Sequence, residues 1–142
     1  MNQENRTAGK ELQEAEITHR IIGAAIRVHR ALGLGFLEVV YEETLAVEFA
    51  LSGIDFVGRK TVPLFYKDHQ VGEHRLDFFV GERVVAELKA VSALDAIHFA
   101  VGRSYLKATH LEHGLLLNFA TAPLTIERFC REQMETPADS RA

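Results

Sequence analysis

The chain of 142 residues has the length of one ordinary globular domain, and its 47% hydrophobic and 25% charged residues argue against wholesale disorder. A net charge of −4 shows no global excess of the Lys and Arg that sequence-independent binding to nucleic acid needs, so such a role would require a local basic rim or a metal ion. The single cysteine, Cys130, excludes an internal disulfide and a cysteine-rich metal cluster.

The sequence carries no sign of a membrane or secreted protein. No apolar run approaches the ~18–20 residues of a membrane span. Residues 1–14 are polar and lack the apolar core of a signal peptide, so we expect a cytoplasmic protein. We further expect flexible tails at residues 1–13 and 133–142, around a single domain over residues 14–132.

Two helices open the predicted domain. Apolar residues recur at helical spacing over residues 15–31, and glycines then end the pattern. A second apolar-rich stretch over residues 37–51 predicts another helix, which a Ser-Gly pair terminates.

Strand patterns follow the helices. Residues 57–66, 69–80 and 83–91 are rich in Val, Phe and Tyr, and the short links between them favour antiparallel hairpins. Residues 93–109 return to a helical pattern, and residues 114–119 and 124–129 predict two more strands. The order α-α-β-β-β-α-β-β predicts an α/β fold, with helices packed on a mixed β-sheet.

Three charged residues in these strands are the strongest candidates for chemistry. Glu87 and Lys89 share a strand face because side chains alternate along a strand. If the strands on either side of residues 81–82 form a hairpin, Asp77 falls opposite residue 86 or 87. A Glu-x-Lys pair alone usually lies on a solvated surface, but this one lies inside an otherwise apolar strand. Two carboxylates are therefore expected to meet beside a lysine.

Such a set favours a hard divalent cation. Two close carboxylates repel, and one pKa rises, unless a cation lies between them. Carboxylate oxygens suit Mg²⁺ or Mn²⁺, with water and substrate phosphate in the remaining positions. Such a cation neutralises the charge that develops on a phosphodiester, and a neighbouring lysine can orient the attacking water.

A second group of candidates lies at the start of the second predicted helix. Glu38 and Tyr41 are three residues apart, so they share a helix face. A glutamate in the first turn also suits the helix dipole, and from spacing alone this structural explanation is preferred. Arg75 shares a strand face with Asp77, where it either holds a phosphate or pairs with a carboxylate. His98 either approaches the site or is an ordinary packed histidine.

Together these residues resemble the GxxExxY proteins of the PD-(D/E)XK nuclease superfamily. The resemblance covers about residues 15–130 and implies a restriction-endonuclease-like core. It rests on the motifs Gly35-x-x-Glu38-x-x-Tyr41, Arg75-Leu-Asp77, Glu87-Leu-Lys89-Ala90 and Leu115-Leu-Leu-Asn118-Phe119.

The resemblance also implies a role for each residue. Asp77, Glu87 and the backbone carbonyl of Leu88 would hold Mg²⁺ or Mn²⁺, and Lys89 would be the catalytic lysine. Glu38 would be the acidic residue that a helix adds to the site, either catalytic or as a further metal ligand. The supporting or substrate-binding residues would be Tyr41, Arg75, His98 and Tyr105.

One departure from the superfamily concerns the helix after the lysine strand. Relatives often carry Gln-x-x-x-Tyr there, whereas this chain has Val101 four residues before Tyr105. The sequence thus predicts a Mg²⁺-dependent nuclease acting on DNA or RNA. The alternative is a catalytically inactive nuclease-fold module that binds nucleic acid or a protein partner. Whether the domain works as a homodimer stays open.

Overall fold

The computed structural model describes residues 3–131. The predicted element order is confirmed in this part of the chain, and the bounds are α1 Gln3–Leu32, α2 Glu38–Leu51, β1 Phe56–Tyr66, β2 His69–Val80, β3 Val84–Lys89, α3 Ala96–Thr109, β4 His113–Asn118 and β5 Thr125–Cys130. None of these helices combines the length and the apolar character that crossing a membrane requires.

The first helix begins much earlier than the sequence predicts. The pattern predicts a flexible tail over residues 1–13, whereas α1 already begins at Gln3. This segment is rich in Glu and Gln, which are good helix formers, and it lacks proline, so the helix extends along it. The tail predicted over residues 133–142 lies outside the described residues.

Two other element ends differ from the prediction for local reasons. β3 ends at Lys89 rather than at residue 91, because the Asn118 side chain bonds both the backbone N–H and the carbonyl of Val91. α3 begins at Ala96 rather than at residue 93, because Asp95 takes the N-cap position.

The five strands form one mixed sheet in the order β1-β2-β3-β4-β5. Neighbouring strands are antiparallel except β3 and β4, which are parallel and are connected through α3. A parallel pair needs such a crossover, since its second strand starts at the opposite end of the sheet. The predicted mixed sheet with flanking helices is confirmed.

Helices cover both faces of the sheet. On one face, α1 and α2 contribute buried residues such as Ala24 and Leu45, which pack with Leu88 of β3. On the other face, Leu106 of α3 packs with Val85 of β3. The apolar residues of β3 are therefore buried from both sides, which explains why its sequence is almost continuously apolar.

At one point along the β1–β2 hairpin the regular alternation of side chains between the two faces of the sheet is interrupted, so that the hairpin turns over. Leu76 packs in the cluster beneath α3, whereas Phe78 packs in the cluster beneath α1 and α2. Regular alternation would put both side chains on the same face. Asp77 lies between them, and the flanking register pairs place it opposite Arg59, whose backbone is left-handed with φ of 51°. The hairpin therefore twists sharply at a residue of the predicted site.

The ring of Phe129 sets how closely α3 approaches the sheet. A Cβ atom added to Gly102 of α3 would lie 2.8 Å from this ring, and one added to Gly114 of β4 would lie 2.2 Å from it. Both distances are shorter than atoms in van der Waals contact allow, so the two glycines are needed for this packing.

Gly102→Ala is expected to lower the free energy of unfolding by about 1–3 kcal/mol, because the new methyl group meets the Phe129 ring. Gly23→Ala in α1 is the matched control. Its Cβ would meet only the end of the Arg27 side chain, at 3.4 Å, so a gain of roughly 0.5–1 kcal/mol in helix propensity should remain. Urea unfolding of both variants measures the difference, and equal effects would contradict the packing argument.

Candidate active site

The two carboxylates that the sequence predicts to face each other do meet at the end of a strand ladder. Regular pairing of β2 with β3 ends at Phe78 and Ala86, which puts Asp77 opposite Glu87. Beyond that pair, side-chain carboxylates take the place of backbone carbonyls as the acceptors of backbone N–H hydrogen bonds. The Asp77 N–H donates to Glu87 Oε2 at 2.7 Å, and the Leu88 N–H donates to Asp77 Oδ2 at 2.9 Å.

These reciprocal hydrogen bonds fix both carboxylates and occupy only one oxygen of each. Within residues 3–131 no hydrogen bond engages Asp77 Oδ1 or Glu87 Oε1. Each carboxylate therefore retains one oxygen that can bind a further group, while its orientation is already set by the neighbouring strand.

Burial makes this pair unfavourable as two negative charges. Glu87 is only 5% exposed, and burial, followed by the charge of Asp77, raises its pKa to about 9. Burial also raises the pKa of Asp77, and the charge of Glu38 adds to the effect. The backbone N–H donors and the Lys89 ammonium act in the opposite direction on both groups. At neutral pH the site favours a proton or a cation beside Glu87.

Lys89 and Tyr105 border the pair on the side of α3. Lys89 follows Glu87 by two residues on β3. Phe119, the residue after β4, holds the Lys89 backbone, because its N–H donates to the Lys89 carbonyl at 2.8 Å. Burial, and then the charges of Glu87 and Asp77, raise the pKa of Tyr105 to about 12. Its phenol therefore keeps its proton and can only act as a neutral hydrogen-bonding group.

Helix α2 brings two acidic residues toward the pair. Glu38, the first residue of α2, is exposed and close enough to raise the pKa of Asp77. The sequence analysis did not identify Glu42. Burial and the charge of Asp77 raise the pKa of Glu42. The charge of Glu42 in turn raises the pKa of Glu87. The signal was available, because residues four apart on a helix share a face.

The Leu88 carbonyl is also well placed to face a ligand. The Lys89 carbonyl bonds to β4, and successive residues of a strand direct their backbone groups to opposite neighbours. The Leu88 N–H and carbonyl therefore both point toward β2, where Asp77 accepts the N–H bond. The carbonyl lies on the same side, beyond the last ladder pair.

Two supporting candidates have structural roles in this fold. Tyr41 is buried, stacks on Phe119 with ring centroids 4.8 Å apart, and donates to the Gly33 carbonyl at 2.6 Å. It thereby holds the loop that leads into Glu38. His98 caps α3, because its Nδ1 accepts the Asp95 N–H at 3.0 Å. No contact in the described part of the chain brings His98 to the carboxylates.

Arg75 and Val101 lie at the edge of the site. Arg75 is exposed, and its charge lowers the pKa values of Asp77 and Glu42, so it lies near the acidic residues. Val101, four residues before Tyr105 on α3, is 38% exposed. It can neither donate nor accept a hydrogen bond at this position.

The donor set fits a hard divalent cation that is bound by few protein ligands. Among the side chains that the structure describes, residues 9–131, no three of His, Cys, Asp or Glu converge closely enough to enclose a metal ion. Mg²⁺ does not require such a cage, since it keeps several waters and binds substrate phosphates through one or two carboxylates. Asp77 and Glu87, each with one uncommitted oxygen and a raised pKa, match that requirement.

Comparison with known proteins identifies one family. A family model described as PD-(D/E)XK nuclease superfamily matches residues 15–129, which include every residue of the site. No curated protein and no solved structure shows a significant match.

The raised pKa of Glu87 predicts how stability depends on pH. Between about 4.5, the ordinary value, and about 9, the folded protein retains a proton that the unfolded chain releases. Without a metal, the free energy of unfolding should fall as pH rises through this window, by at most about 1.4 kcal/mol per pH unit from this group. Glu87→Gln should flatten the slope, because its amide keeps the shape and does not titrate.

Urea unfolding in EDTA at several pH values tests this prediction. Glu11→Gln, a change on the exposed side of α1, serves as the control and should keep the wild-type slope. Identical slopes for wild type and Glu87→Gln would show that the carboxyl is not buried as the structure has it.

Proposed function

Because the chain belongs to the PD-(D/E)XK nuclease superfamily, we propose that it is a Mg²⁺- or Mn²⁺-dependent nuclease that hydrolyses phosphodiester bonds of DNA or RNA. The observation that carries the proposal is the Asp77–Glu87 pair, in which Glu87 is buried, Asp77 is half-buried and both carboxylates accept backbone hydrogen bonds beside Lys89. Within the superfamily, the Gly35-x-x-Glu38-x-x-Tyr41 motif supports a place among the GxxExxY proteins.

Each residue of the site has a distinct task under this proposal. Asp77, Glu87 and the Leu88 carbonyl would hold the cation, which supplies Lewis acidity and neutralises charge on the phosphoryl group. The strand hydrogen bonds keep both carboxylates in place, so little reorganisation is needed during the reaction. The Lys89 ammonium donates hydrogen bonds to the attacking water or to a phosphoryl oxygen. Glu38 accepts hydrogen bonds from water at the rim of the site.

A second candidate function is a nuclease-fold module that binds nucleic acid or a protein partner without cleaving it. The exposed, apolar Val101 favours this candidate, because it replaces a glutamine that superfamily members often carry and that can contact substrate or support the site. The Asp77–Glu87 pair argues against it, since two buried carboxylates destabilise a fold that makes no use of them.

Substitution of Lys89 or Asp77 tests the catalytic proposal. Lys89→Ala and Asp77→Ala are each expected to lower Mg²⁺-dependent cleavage of DNA or RNA by at least about a hundredfold, because an electrostatic or proton-transfer contribution of that size is lost. Lys10→Ala, on the exposed face of α1, is the matched control and should cleave like wild type. Cleavage that persists in the purified Lys89 and Asp77 variants would refute the site.

Calorimetric titration with Mn²⁺ tests the metal independently of cleavage. Because the pKa of Glu87 is about 9, binding at pH 7 should release a proton, and the apparent affinity should rise with pH up to that value. Proton release is measured by comparing buffers of different ionisation enthalpy. The Glu87→Gln variant should show no such proton release when Mn²⁺ is added. A wild-type protein without saturable Mn²⁺ binding would favour the inactive module.

A further inference from the structure

Arg59 has an unusual backbone conformation for a residue inside a strand. Its φ of 51° lies in the left-handed region, which side chains other than glycine rarely adopt. The other non-glycine residues of the described chain with positive φ lie in turns or at a helix C-cap, namely Lys67, Asp68, Glu82 and His110. A strained residue held in place by its surroundings is often a functional one.

The strain at Arg59 coincides with the point where the hairpin turns over beside the active site. Along β1, Phe56 packs beneath α1 and α2, whereas Val62 packs beneath α3. Arg59 lies between them and opposite Asp77. Its side chain crosses to α2, where Nε lies 3.5 Å from Glu42 Oε1 and the guanidinium also pairs with Glu43.

The surroundings of this guanidinium are strongly acidic. The carboxylates of α2 and of the strand pair outnumber the nearby cations, which are Arg59, Arg75 and Lys89. A divalent cation would balance this excess, so the further negative charge of a nucleic-acid backbone calls for a cation in addition to Lys89. Arg59 is suited to that task, because its side chain is 45% exposed while that of Glu42 is 15% exposed.

We propose that Arg59 is a phosphate-binding residue of the site, and this inference rests on the nuclease function proposed above. In the free protein Glu42 and Glu43 hold the guanidinium at the rim of the site. When nucleic acid binds, the guanidinium donates paired hydrogen bonds to a phosphate of the backbone near the Asp77–Glu87 pair. The competing explanation is that Arg59 only neutralises Glu42 and Glu43.

Binding of a fluorescently labelled oligonucleotide, measured by anisotropy in Ca²⁺ over a series of KCl concentrations, tests this proposal without requiring cleavage. Arg59→Gly suits the left-handed backbone and should fold. It is expected to weaken binding roughly tenfold and to reduce the slope of log affinity against log salt by about one. Arg59→Lys should recover part of the affinity, because it keeps the charge but not the paired donors.

Two controls separate the phosphate role from a structural one. Arg27→Ala removes a comparably exposed arginine, whose Nε lies 2.9 Å from Glu48 on the α1–α2 side of the fold, and should leave binding and its salt slope unchanged. In a Glu42→Gln, Glu43→Gln background both carboxylates that pair with Arg59 are neutral. Arg59→Gly should still weaken binding there if Arg59 contacts phosphate, and should have no effect if it only compensates these two carboxylates.

The outcomes also distinguish this inference from the proposed function. A wild-type protein that binds and cleaves nucleic acid, with an affinity and salt slope that survive Arg59→Gly, would overturn the role of Arg59 alone. A wild-type protein that binds no oligonucleotide in Ca²⁺ and cleaves none in Mg²⁺ would overturn the nuclease proposal, and the role of Arg59 with it.

Discussion

The hydrogen bonds that Asp77 and Glu87 exchange with each other's strands are the interaction on which the site depends. They lie where the β2–β3 ladder ends, so each carboxylate takes the place of a backbone acceptor on the opposite strand. Each side chain is thereby fixed without using both of its oxygens. The same arrangement continues the hydrogen bonding beyond the end of the β2–β3 ladder and leaves one oxygen of each carboxylate unbonded within the described residues.

Electrostatics make this arrangement costly in the absence of a cation. Burial raises the pKa values of Glu87, Asp77 and Glu42, the charge of Asp77 raises the pKa of both glutamates, and the charge of Glu42 raises that of Glu87. Such clustering of perturbed carboxylates is typical of sites that bind a metal or transfer protons. Lys89 and the arginines at the rim offset only part of the repulsion, which leaves a place for a divalent ion.

The twist of the β1–β2 hairpin links this chemistry to the fold. Because the hairpin turns over at Arg59 and Asp77, its outer half packs beneath α3 and its inner half beneath α1 and α2. Asp77 therefore lies between the two helical layers, near Glu42 on one side and Tyr105 on the other. One irregular point in the hairpin brings groups from both layers to the same pair of carboxylates.

The sequence by itself determined the order of the elements and placed Asp77 opposite residue 86 or 87, because alternation and turn length are local properties of the chain; the strand register selects Glu87. It also indicated Glu38 through a motif. It did not determine that α1 begins at Gln3, or that Tyr41 and His98 serve the loop and the helix cap. Only the tertiary structure brought Glu42 and Arg59 to the site, since their positions depend on how α2 packs across a hairpin whose twist no local pattern reveals.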